Sequence, residues 1–184
     1  ILNGEEQVLM PHFTFHGFRY AAVEGIENPR PEMFTACVTH SDMRKTGEFR
    51  CSNEKVNQLQ SNISWSLRDN FFDIPSDCPQ RDERLGWMGD AQVFSWTAAF
   101  NRETALFFTK WMRDISAASS LERGVPHIVP DIQGTYSSAA WSDAAVIIPW
   151  VVYQTYGDTR ILEESWKCMH EWVDYIHNHV YENG

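Results

Sequence analysis

Five acidic residues crowd the stretch "DIPSDCPQRDERLGWMGDAQ" (73–92), and four of them, Asp77, Asp82, Glu83 and Asp90, cluster with Arg81, Arg84 and Trp87. Neither a buried helix nor a buried strand accommodates that mixture. Glycoside hydrolysis needs one carboxylic acid to protonate the leaving oxygen and one carboxylate to activate water or attack carbon. The acid must keep its proton near neutral pH, through desolvation or through neighbouring negative charge. The cluster supplies the charge, and Trp87 supplies an apolar wall on which a sugar face can pack. Gly86 and Gly89 allow close backbone approach. Equally open at this point is a solvated acidic loop, with Asp90 as a helix N-cap and Arg81 and Arg84 as surface ion-pair partners.

A second constellation, "AAWSDA" (139–144), sets Trp141 beside Asp143 at the start of a predicted helix. As sugar ligands they would stack and accept hydroxyl hydrogen bonds. As structural residues Asp143 would cap the helix and Trp141 would fill a loop. The histidines offer less. His12 and His16, or His177 and His179, lack the further ligands a metal centre requires, so neither a metal nor a cofactor is expected. The cysteines form no C-x-x-C pair. No phosphate loop or nucleophile elbow is present.

The elements that must position these residues change character along the chain. "HFTFHGFRYAAVEG" (12–25) alternates as a strand does, and "MFTACVTH" (33–40) reads as a second strand, with "NPRPE" as the loop between them. Two strands bury no core alone, so these read as the end of a β-sandwich. After a linker at 42–50 the period becomes helical. Ser52 is an N-cap candidate, and Val56, Leu59, Ile63 and Leu67 follow at helical spacing. Pro75 and Pro79 break the chain around the carboxylate loop. A helix is expected from Gly89 or Asp90, as its cap, to Phe100, and another over 103–116 with Phe108, Met112 and Ile115 on one face. Ser142 and Asp143 open a further helix to Tyr156, buried nearly all round, kinked or begun near Pro149 and closed by Gly157. Leu162, Trp166, Met169, Val173, Ile176 and Val180 mark the face of the last helix.

Helical hairpins with unequal loops suit an α/α toroid with function on the long-loop face. Twelve helices of ~12 residues with ~5 per loop need roughly 200 residues or more. The helical part therefore holds at most half of such a toroid. The chain has 184 residues and opens on Ile1 with no Met, as a segment beginning inside a domain would. A formal net charge of -10 argues against a nucleic-acid partner. No apolar run is of membrane-spanning length. Eight Trp exceed what a core needs and suit a protein that handles sugars.

"DCPQRDERLGWMGDAQ" resembles the signature of bacterial α-L-rhamnosidases, the inverting glycoside hydrolase family 78. "FTFHGFRYAAVEG" resembles the strand leading out of that family's β-sandwich, and "HSDMRKTGEFRCSNEKVNQL" the linker and first barrel helix. "WSDAAVIIPWVVYQTYGD" resembles a later helix with its substrate-facing start. The resemblance implies a mainly α fold: the N-terminal part of an (α/α)6 barrel over 51–184, preceded by sandwich strands over 1–41. It implies Glu83 as general acid, and Asp77 and Asp90 as carboxylates that bind rhamnose hydroxyls. Trp87 and Trp141 would line the pocket, with Arg81 and Asp143 as further members. The implied substrate is a rhamnose-containing oligosaccharide or glycoside. The family's general base is a Glu later in the barrel, so it is expected beyond Gly184, in the remainder of the protein. A carbohydrate-binding fragment without catalysis, or a barrel hydrolase for another deoxy sugar or a uronic acid, is the alternative reading.

Overall fold

The computed structural model describes residues 4–134 and 136–182, with side chains through His179. Five helices carry it: α1 (Glu54–Asn70), α2 (Met88–Asn101), α3 (Ala105–Ala118), α4 (Ala144–Tyr156) and α5 (Arg160–Glu182). A small antiparallel pair, β1 (Phe71–Phe72) with β2 (Ile74–Pro75), follows α1. This is the mainly helical architecture expected. α4 is the centre of the packing and meets α2, α3 and α5. Its surroundings explain why it is apolar nearly all round: Ala144, Ala145, Ile148, Val151 and Val152 are all buried.

The expected strands over 12–25 and 33–40 do not form. Among the described residues up to His40 there is no ladder, and most side chains are exposed. Alternating residues make a strand only where a neighbouring edge takes up the backbone hydrogen bonds. The described chain offers no such edge. This segment instead touches the carboxylate loop and β1: Gly17 N donates to Pro79 O at 3.0 Å, Arg84 Nη1 donates to Phe15 O at 3.1 Å, and Phe15 packs on Phe72 of β1 with ring centroids 4.8 Å apart.

Three helix starts also differ from expectation. Asn53, not Ser52, caps α1, accepting from Lys55 N at 3.0 Å. α3 starts two residues later than its pattern suggested, after Thr104, which bonds to the Tyr156 hydroxyl at the end of α4. Trp87, not Asp90, precedes α2, because the His127 carbonyl takes the first helical N–H, that of Met88, at 2.8 Å. Gly157 closes α4 in the left-handed conformation, φ 67°, as its position implied. Phe108, Met112 and Ile115 are buried on one face of α3, also as expected.

The face of α5 needs correction. Its core stripe is Ile161, Ser165, Cys168 and Trp172, each almost fully buried, while Trp166 is 64% and Val173 55% exposed. The side chain of Val180 lies outside the described residues. α5 is apolar on two adjacent stripes. The stripe with small residues, Ser165 and Cys168, is the one that lets α3 and α4 approach closely.

Candidate active site

The carboxylate loop runs from the end of β2 to the start of α2, and its backbone is held on two sides. On one side it closes on itself, Asp77 N donating to Leu85 O at 3.1 Å. On the other it lies against the chain at 127–129: Val129 N donates to Gly86 O at 2.9 Å and Met88 N to His127 O. A Cβ at Gly86 would overlap the Val129 carbonyl oxygen, so only glycine lets these two backbones meet.

That frame aims the side chains. Asp77 is nearly buried. Its Oδ1 accepts from Leu85 N at 2.9 Å and its Oδ2 from Arg81 Nη2 at 3.1 Å. Burial pushes the Asp77 carboxyl up. Hydrogen bonds from Cys78, Leu85 and Arg81 outweigh it, and together they hold the group below its ordinary value. Arg81 also reaches Glu83: Nε lies 2.9 Å from Oε2. The other Glu83 oxygen, Oε1, accepts from the Trp87 indole N–H at 2.8 Å. Asp77, Cys78 and Glu83 place ligand atoms within 4.8 Å of one another, but the Arg81 guanidinium occupies their centre, so the cation this cluster holds is an arginine. Arg81 itself is held above its usual value by Asp77 first, then Cys78 and Glu83. Asp82 points away, fully exposed and paired with Arg84.

Beside this cluster is a cleft of about 580 Å³, lined by Asp77, Asp90 and Trp141, with Phe71, Pro75 and Phe94 as apolar wall. Relieved of capping, Asp90 stands exposed in the first turn of α2 and faces the cleft. Trp141 lies over Gly89: a Cβ there would sit 3.0 Å from Trp141 Cδ1. The His127 ring supports the indole, centroids 5.6 Å apart. Glu83, Arg81 and Trp87 are outside the cleft lining, joined to it through the Arg81–Asp77 bridge. Asp143 is outside it too. Its Oδ1 accepts from Trp172 Nε1 at 3.0 Å and its Oδ2 from Ala140 N at 2.7 Å.

The structure adds cleft residues that the motif reading missed, Asn70 and Gln92. Asn70 Oδ1 and Gln92 Oε1 are buried acceptors with no partner among the described residues. Asn70 ends α1 and carries no sequence signal, whereas Gln92 lies inside the quoted motif, where the carboxylates and Trp carry the chemistry. An aromatic rim, an apolar wall and converging carboxylates suit a polyhydroxylated ring with one apolar face, with a carboxyl group alongside.

Comparison with known proteins places the chain in a family. Residues 44–183 match the model of the bacterial alpha-L-rhamnosidase 6 hairpin glycosidase domain, and residues 1–40 that of the bacterial alpha-L-rhamnosidase concanavalin-like domain. An alpha-L-rhamnosidase of Formosa agariphila is 48% identical over 169 residues, 89% of this chain and 18% of that protein. One from Streptomyces avermitilis is 40% identical over 181 residues, 97% of this chain and 18% of its own length. The crystal structure of the Streptomyces avermitilis alpha-L-rhamnosidase complexed with L-rhamnose superposes with a TM-score of 0.74 at 40% identity, covering 76% of this chain and 14% of that one. The alpha-L-rhamnosidase from Dictyoglumus thermophilum gives 0.73 at 40% identity, covering 76% and 16%. The chain thus spans about 18% of the length of the curated relatives it matches.

Proposed function

We propose, from the premise that the chain belongs to the bacterial α-L-rhamnosidase family, that it supplies the acid half of an inverting hydrolase acting on terminal α-L-rhamnose. The observation that carries this reading is the pairing of Glu83 with Trp87 and Arg81 next to the cleft of Asp77, Asp90 and Trp141. Asp77 and Asp90 accept hydroxyl hydrogen bonds from the sugar. Leu85 N on Oδ1 and Arg81 Nη2 on Oδ2 fix the Asp77 carboxylate in place for this. Trp141 packs on the apolar face, where a 6-deoxy sugar presents its methyl group.

Glu83 is the general acid. As the glycosidic bond breaks, its proton passes to the leaving oxygen and the bonding electrons leave with that oxygen. Both Glu83 oxygens accept hydrogen bonds in the free protein, so donation requires one of them to be released and protonated. Arg81, 62% exposed, is the partner free to swing away, while Trp87 keeps hold of the other oxygen. Water attacks the anomeric carbon from the opposite face and yields its proton to a second carboxylate supplied outside this chain. The two carboxyl groups of an inverting pair stand about 6.5–9.5 Å apart.

The protein produced at the full length of its relatives tests this. Hydrolysis of p-nitrophenyl α-L-rhamnoside is expected, with β-L-rhamnose as the first anomer seen by NMR. An α product would contradict inversion. Rhamnose binding without turnover would favour a carbohydrate-binding role instead.

A further inference from the structure

We infer that Asp143 and Trp172 are positioning residues that set the place of Trp141 at the cleft, an inference resting on the sugar-site reading above. The residue before Trp141, Ala140, is held by two side chains. Ala140 N–H donates to Asp143 Oδ2 at 2.7 Å, and Ala140 C=O accepts from Gln92 Nε2 of α2. The two peptide groups that flank Ala140 are thus each held by one side chain. Between these bonds Ala140 has φ 72°, a left-handed conformation that a residue with a Cβ adopts at a cost.

This hold is anchored deep in the fold. Asp143 Oδ1 accepts from the indole N–H of Trp172, a residue 2% exposed in the core of α5. The path runs from the packed face of α5 through Asp143 to Ala140, and from there to an indole that touches Gly89 and His127. Each Asp143 oxygen serves one protein donor, one fixing Trp172 and the other fixing the loop. The side chain is outside the cleft lining, so it acts on a sugar only through Trp141. This also gives α5 a role at the site that its sequence pattern does not suggest.

Asp143→Asn is the primary test, because the amide keeps the shape but turns one acceptor into a donor facing an N–H. Trp172→Phe keeps an aromatic ring in the buried site while removing the anchoring N–H, and calorimetry checks that each variant is folded. Both are made in the protein at the full length of its relatives, labelled with 5-fluorotryptophan. The Trp141 fluorine resonance is assigned with Trp141→Phe. In each variant that resonance should shift or broaden, and KM for an aryl α-L-rhamnoside should rise roughly tenfold while kcat stays within about threefold. A resonance unchanged in folded variants overturns the inference, and a KM rise with it would mean that Asp143 touches sugar directly. A shifted resonance in a protein that hydrolyses no rhamnoside, even unmutated, upholds the positioning and overturns the rhamnosidase reading.

Discussion

The indole N–H of Trp87 donates to Glu83 Oε1 at 2.8 Å, across a four-residue separation that no helix spans. Trp87 immediately precedes α2, and its backbone is fixed by the 127–129 segment, so the indole is a rigid handle on the carboxyl group. Trp87→Phe keeps an aromatic ring and removes that donor. In the full-length protein kcat is expected to fall about tenfold, with less change in KM. Steady-state kinetics on an aryl rhamnoside checks this, and an unchanged kcat would separate Trp87 from proton transfer.

Gly86 carries a structural demand that is independent of sugar. Gly86→Ala drives a Cβ into the Val129 carbonyl and must push the two backbones apart. A loss of about 2 kcal/mol or more is expected, read as a lowered Tm in calorimetry. Activity should fall with it, since Gly86 joins the Glu83 and Trp87 portions of the loop.

Acid should weaken the fold in two windows with the same sign. Burial lowers the His127 pKa from 6.5, so the unfolded chain takes up its proton first as pH falls. The stability linked to neutral His127 is complete above about 6.5 and is lost as pH drops through the folded value. Asp77 behaves likewise one window lower: its stabilising charge is complete above 3.8 and is lost below, through a folded pKa that is lowered further. Chemical denaturation at stepped pH should therefore show a first decline in stability that His127→Gln removes. A second decline at stronger acid should shrink in Asp77→Asn, the remainder coming from paired carboxylates such as Asp158 and Glu164.

The two faces of α5 give opposite expectations for two tryptophans. Trp172→Ala empties a buried site and should cost about 3–5 kcal/mol. Trp166→Ala, on the exposed stripe, should change the stability of this chain by about 0.5 kcal/mol. Thermal melts of the two variants separate these faces directly.

Much of the helical order was legible because apolar spacing and Gly157 speak locally. What failed did so for tertiary reasons. The α5 stripe differs from its periodicity because periodicity rewards bulk, whereas the packing face is chosen by how closely neighbours can approach, which favours Ser165 and Cys168 over Trp166. The start of α2 is not legible locally because its first N–H is met by His127, a residue distant in sequence. The strands before His40 alternate correctly but have no edge to join. At the site, residue types in the 73–92 motif pointed to carboxylate chemistry. They could not tell that Arg81 bridges Asp77 and Glu83, or that Asp143 turns inward to Trp172, since both depend on segments brought together only by folding.

The most direct measurement is the loss of activity in Glu83→Gln as a function of leaving group, in the full-length protein. p-Nitrophenolate departs as a stable anion and needs little protonation, whereas an alkyl alkoxide needs a proton. If Glu83 is the general acid, hydrolysis of an alkyl α-L-rhamnoside should fall about 10²–10⁴-fold, and that of p-nitrophenyl α-L-rhamnoside far less. Equal losses on both substrates, or activity retained on the alkyl rhamnoside, would contradict the role given to Glu83.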